Sequence, residues 1–67
     1  MKKNISYLIA LRESSKLGVS KTKRVIKSSC KRIGVVGTRH IVEYVLESNV
    51  LTKEQEKNIK DAWKECC

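Results

Sequence analysis

Apolar residues recur along the chain at the three- and four-residue spacing of helices, in four blocks parted by glycines or polar residues. In the first, Ile5, Leu8, Ile9 and Leu11 fit one broad buried face. They predict a helix over Ile5–Leu17, with Asn4 as its N-cap and Gly18 as its stop. The second block carries Val25, Ile26, Ser29, Cys30 and Ile33 as an inner stripe. It predicts a helix over Lys21–Ile33, capped by Ser20 or Thr22 and ended by a left-handed Gly34. The third turns Ile41, Val42, Val45 and Leu46 inward, over Arg39–Ser48, with Thr38 as N-cap and Asn49 at its end. The fourth has the clearest start, because Thr52-Lys53-Glu54-Gln55 fits the capping box in which Thr52 and Gln55 cap each other's backbone. Ile59, Ala62 and Trp63 form its buried side.

Val35-Val36 is the one place where a short strand competes with an all-α reading. No internal repeat, low-complexity tract or linker stands out. The expectation is one all-α domain over residues 1–67, a small bundle of three to four short helices. A Gly-x-x-Gly turn, Gly34 to Gly37, would join the second helix to the third.

Composition narrows the function classes. With 67 residues, 40% of them apolar and no Phe, the chain builds one thin core and no deep substrate cleft. No acid, base and nucleophile can be assembled into a set, so no enzyme is expected. Cys30 and His40 do not make a nucleophile pair, since Cys30 lies on the apolar stripe as a small core residue. Cys30, His40, Cys66 and Cys67 contain no C-x-x-C spacing, which argues against a metal site, and no cofactor is implied.

The longest apolar stretches fall short of a membrane span. The opening Met-Lys-Lys-Asn-Ile looks like the start of a secretory leader. The stretch after it is broken by Ser6, ends at Arg12-Glu13 and lacks a small-residue cleavage site. Three cysteines, two of them adjacent, do not make a disulfide scaffold. The expectation is a cytoplasmic protein in a reducing interior.

Charge changes the picture most. Residues 1–40 hold eleven Lys and Arg against one acid, Glu13, whereas residues 41–67 hold four Lys against six acids. The net +8 is therefore a strongly basic front on a mildly acidic back, the footprint of a polyanion partner. On the second helix Lys23, Lys27 and Lys31 stand at i, i+4 and i+8, flanked by Lys21 and Arg24, with no acid between Val19 and Ile41. Like charges at that spacing weaken a helix by a few tenths of a kcal/mol per pair, roughly. Successive lysines lie about 6 Å apart along the axis, close to the spacing of phosphates on one strand. The competing explanation is a solvated face that keeps a small protein soluble.

A second anion contact is expected where Gly37, Thr38 and Arg39 open the third helix, since a helix N-terminus presents unpaired N–H groups. The run Ile33-Gly34-Val35-Val36-Gly37-Thr38-Arg39-His40-Ile41 resembles the hairpin of helix-hairpin-helix DNA-binding motifs, with one valine extra between the glycines. It is also similar to the GxxG loop of KH domains. From Lys21 to Lys64 the order of elements resembles the C-terminal end of PIN-domain ribonucleases. Lys21, Thr22 and Lys23 stand where that family would place an acidic metal ligand, so nuclease activity is not implied. Leu17-Gly18-Val19-Ser20-Lys21-Thr22-Lys23 resembles the turn of helix-turn-helix domains. That likeness implies a recognition helix whose first residues, Ser20, Lys21, Lys23 and Arg24, face a groove.

The functional expectation is a non-enzymatic, mostly helical module that binds DNA or RNA through phosphates, with a helix-turn-helix type DNA-binding regulator as one form of it. Its contacts would be Lys21, Lys23, Arg24, Lys27 and Lys31, with Gly37, Thr38 and Arg39 as a second patch. No membrane partner is expected. The alternative is a protein-interaction module whose basic face docks an acidic protein or the acidic last helix of a second copy, as a homodimer.

Overall fold

The computed structural model describes residues 2–48 and 50–66, with side chains from Ile5 onward. It contains three helices, α1 (Lys2–Ser15), α2 (Val19–Glu47) and α3 (Lys53–Cys66), and no strand among the described residues. The all-α expectation holds. The two central helices of the sequence reading are one 29-residue element, broken at Gly34 alone, and Val35-Val36 continues it as helix rather than strand. Helix α1 already runs from Lys2, so Asn4 lies inside it and is not its cap. Asn49, the expected end of the third block, lies outside the described residues; α2 closes at Ser48, whose N–H and Oγ both donate to the Val45 carbonyl.

Helix α2 is the spine. It packs against both α1 and α3, and the buried apolar core draws on all three: Leu11 from α1, Ile26, Ile41, Val42 and Val45 from α2, Ile59 and Ala62 from α3. Helix α1 does not bury the single face expected of it. Leu11 is buried and Leu8 half-buried, but Ile5 and Ile9 are 56% and 51% exposed. Its apolar residues encircle the helix, and the sides that meet α2 and α3 are those of Leu11, Ser14 and Ser15.

Two glycines set the path of the spine. Gly18 (φ 130°, ψ 176°) precedes α2, and Gly34 (φ 85°, ψ 169°) interrupts it, both in backbone conformations that are nearly glycine's alone. After each, the helix starts at once and the fourth residue folds its hydroxyl back. Thr22 Oγ1 donates to the Gly18 carbonyl at 2.8 Å, and Thr38 Oγ1 to that of Gly34 at 2.9 Å. Thr22 and Thr38 are both buried, and Ser29 Oγ lies 2.7 Å from Thr38 Oγ1. Neither threonine is an N-cap, because the helix is already under way when the chain reaches it. Ser20 does not cap either; the cap position is Gly18, which offers no side chain.

The shared geometry goes with a shared local sequence. Gly18-Val-Ser-Lys-Thr-Lys-Arg-Val-Ile26 and Gly34-Val-Val-Gly-Thr-Arg-His-Ile-Val42 match position by position in glycine, valine, threonine, a base and two closing β-branched residues. The likeness is local to these two helix starts, where a glycine and a threonine four residues later recur.

The capping box at α3 forms as expected. Thr52 N donates to Gln55 Oε1 at 3.0 Å, and Gln55 N to Thr52 Oγ1 at 3.1 Å. The remaining amide hydrogens of Gln55 reach α1, with Nε2 lying 3.1 Å from Ser15 Oγ and 3.4 Å from the Arg12 carbonyl. Asn58 Nδ2 donates to the Ser15 carbonyl at 2.9 Å. The start of α3 thus supplies a donor to the Ser15 carbonyl and a second one to that of Arg12, which already accepts from the Ser15 hydroxyl at 2.6 Å.

Candidate nucleic-acid interface

The first half of α2, Val19–Ile33, buries Thr22, Ile26 and Ser29 and half-buries Val19, Lys23, Val25, Cys30 and Ile33. Its exposed residues are Ser20, Lys21, Arg24, Lys27, Ser28, Lys31 and Arg32, every one a cation or a serine. At 100° per residue they occupy an arc of about 140° opposite the core stripe, and Lys21 to Arg32 spans about 17 Å of axis. Helical periodicity puts Arg24, Lys27 and Lys31 near the middle and one edge of the arc, and Lys21 and Arg32 at the other edge. Among the described residues none of these five cations has an ion-pair partner. Their charge is therefore presented to solvent uncompensated.

The remaining expected contacts sit differently. Lys23 lies at the margin facing α3, where its Nζ donates to Glu65 Oε1 at 2.9 Å. That hydrogen bond, with the added attraction of the carboxylate charge, raises the Lys23 pKa above its ordinary 10.5. Arg39 is exposed but pairs along the helix with Glu43, Nε to Oε2 at 3.4 Å. Thr38 is buried with its hydroxyl engaged, and Gly37 sits within the helix against Ile33, whose Cδ1 would lie 3.2 Å from an added Cβ. The structure thus brings Lys21, Arg24, Lys27 and Lys31 together and leaves the Gly37–Arg39 patch beyond the break. Arg32 belongs to the arc although the sequence reading omitted it. Its spacing of eleven residues, three turns, from Lys21 was the available signal.

Aromatic side chains are absent from the arc. Tyr7 and Trp63 are half-buried in the core margin, and Tyr44 is exposed among Glu43 and Glu47 on the far half of α2. No group of three or more His, Cys, Asp or Glu among the described residues is placed to hold a metal ion. No helix among them is long and apolar enough to cross a membrane. Comparison of the chain with protein-family models, with curated proteins and with solved structures finds no match in any of the three.

Proposed function

We propose that the protein is a non-enzymatic module that binds nucleic acid through phosphates, using the exposed arc of α2. The observation that carries the reading is the composition of that arc: five cations, two serines and no acid, held on a helix whose opposite side is anchored in the core. A face selected for solubility alone mixes its signs, because each i,i+4 like-charge pair costs helix stability. Lysine and arginine at the two edges and the centre neutralise a polyanion without reading its bases, so the binding is expected to be general rather than sequence-specific. The three-residue turn Lys16–Gly18 between α1 and α2 suits a helix-turn-helix regulator in which the start of α2 enters a groove.

Fluorescence anisotropy of the reduced protein with labelled duplex DNA, single-stranded DNA and structured RNA, across a salt series, tests the proposal. Micromolar binding whose logarithm falls with log salt at a slope of about −3 to −5 is expected for that many phosphate contacts. Absence of binding to all three probes at low salt overturns it. The second reading, docking of an acidic protein, is favoured by one contact: Glu65 already satisfies Lys23 as a partner's carboxylate would. Binding to acidic peptide that nucleic acid fails to displace would select that reading.

A further inference from the structure

Between α1 and the first half of α2 lies an open cavity of about 450 Å³, lined by Ser6, Tyr7, Ala10, Arg32 and Ile33. That volume falls within the range of about 300–1,000 Å³ that small-molecule sites occupy. Helix α1 leaves the room by turning small residues this way, Ser6 and Ala10 standing four apart on one side of it. One wall is aromatic. Tyr7 is half-buried and packed against the core, and it also lines the narrow internal gap beside Leu11 and Ile26. Its ring is thus held in place before any ligand arrives, so covering it costs little further ordering. The rim is cationic. Arg32 is exposed, and among the described residues it has no ion-pair partner. This one arginine closes an edge of the basic arc and lines the cavity as well.

We infer that the cavity receives one unpaired base of a single strand whose phosphates lie along the arc. The inference rests on the phosphate-binding reading of that arc and narrows its ligand to strands with unstacked bases. Lys21 and Arg32 share the edge of the arc beside α1, so a strand laid from one to the other runs past the cavity mouth. The phosphate held by Arg32 brings its own nucleotide to that mouth. The base turns in and lays its flat face on the Tyr7 ring, with Ala10 and Ile33 as apolar walls. The Ser6 hydroxyl both donates and accepts, which suits the edge of any base. Every base has a face that stacks, so the pocket adds affinity without selecting a sequence. In a duplex the bases are paired and stacked inside, and this contact is closed to them unless one is flipped out at a cost. The arc alone serves both kinds of strand; the cavity favours the single one.

The test is fluorescence anisotropy of the full chain with two labelled probes across a salt series. One is oligothymidylate of about eight nucleotides, and the other is a strand of equal length built of tetrahydrofuran abasic sites. Both carry the same phosphates, so their log affinities are expected to fall with log salt along parallel lines. The intact strand is expected to bind about 10-fold tighter throughout. Ala10→Leu fills the cavity and leaves every cation in place. It is expected to remove that margin while holding the abasic strand's affinity within about twofold. Tyr7→Leu, which keeps an apolar wall but takes away the ring, is expected to do the same. Circular dichroism checks the helicity of both variants. Equal binding of the intact and abasic strands overturns the base pocket and leaves the phosphate reading standing. So does a margin that survives both substitutions. Failure of either strand to bind at low salt overturns the phosphate reading, and the pocket with it.

Discussion

Gly34 shows how much one residue decides. Its φ of 85° with ψ of 169° lies where an L side chain is strained, yet an added Cβ would meet nothing within 4 Å. Gly34→Ala is therefore a test of backbone strain alone, and it is expected to lower unfolding free energy by about 1–3 kcal/mol in urea denaturation. Gly37 is the contrast. It is helical, so Gly37→Ala gains up to about 1 kcal/mol of helix propensity against a shift of a few tenths of an ångström in the Ile33 side chain, whose Cδ1, Cγ1 and Cβ would lie 3.2, 3.3 and 3.4 Å from the added Cβ. Its midpoint is expected to stay close to wild type, and equal losses at the two glycines would refute the distinction. The left-handed break was legible in the sequence at Gly34, because a glycine after an apolar stripe is a strong local signal. The role of Thr38 was not. Whether a hydroxyl caps a helix or folds back within it depends on where the helix resumes, and that follows from the glycine's dihedral angles.

Among the elements, α3 is tied down at both ends by contacts of different kinds. At its start, Gln55 serves the capping box and the end of α1 together. Gln55→Ala is expected to cost about 2 kcal/mol, more than Thr52→Ala at about 1 kcal/mol, because it also removes the donor to the buried Ser15 hydroxyl and to the Arg12 carbonyl. Urea titrations of the two variants check the order. The box was legible because both its members lie within one turn; its reach across 40 residues to Ser15 was not. At the far end Lys23 and Glu65 meet across 42 residues, which no local pattern announces. The pair raises the Lys23 pKa, so its contribution to stability is fully present below the ordinary lysine value of 10.5 and is lost as pH climbs through the higher folded value. The melting temperature of wild type is expected to exceed that of Glu65→Gln by a steady margin at pH 8–9.5, by roughly 1–2 °C or less for a partly exposed pair. That margin should close as pH rises past 10.5. A margin that widened with alkali would contradict the pairing.

Taken whole, the molecule separates its charge by element. Helix α2 offers the uncompensated arc, whereas Lys23 and Arg39 are partly neutralised within the fold by Glu65 and Glu43. The five uncompensated cations are expected to dominate any phosphate contact. Lys27→Glu with Lys31→Glu should therefore weaken binding of a 20-base-pair duplex by 100-fold or more, about 3 kcal/mol. Arg39→Glu should weaken it by no more than about threefold. Anisotropy titrations at fixed salt compare them; equal losses would move the interface toward the second half of α2. The segregation of charge and the core stripe of α2 could be read from the chain alone, since both are periodic within one helix. The exposure of Ile5 and Ile9 could not, because α1 is apolar around its circumference and only packing chooses its inner side.

The amide bridge between α3 and α1 also constrains the timetable of folding. Among the described residues the Ser15 carbonyl finds its partner in Asn58, 43 residues later, whereas that of Arg12 already accepts from the Ser15 hydroxyl at 2.6 Å. On a chain emerging from the ribosome, the end of α1 therefore lacks the Asn58 partner until α3 has begun to form. Helix α1 is thus secured late relative to its own synthesis, and closure of this small bundle waits on α3.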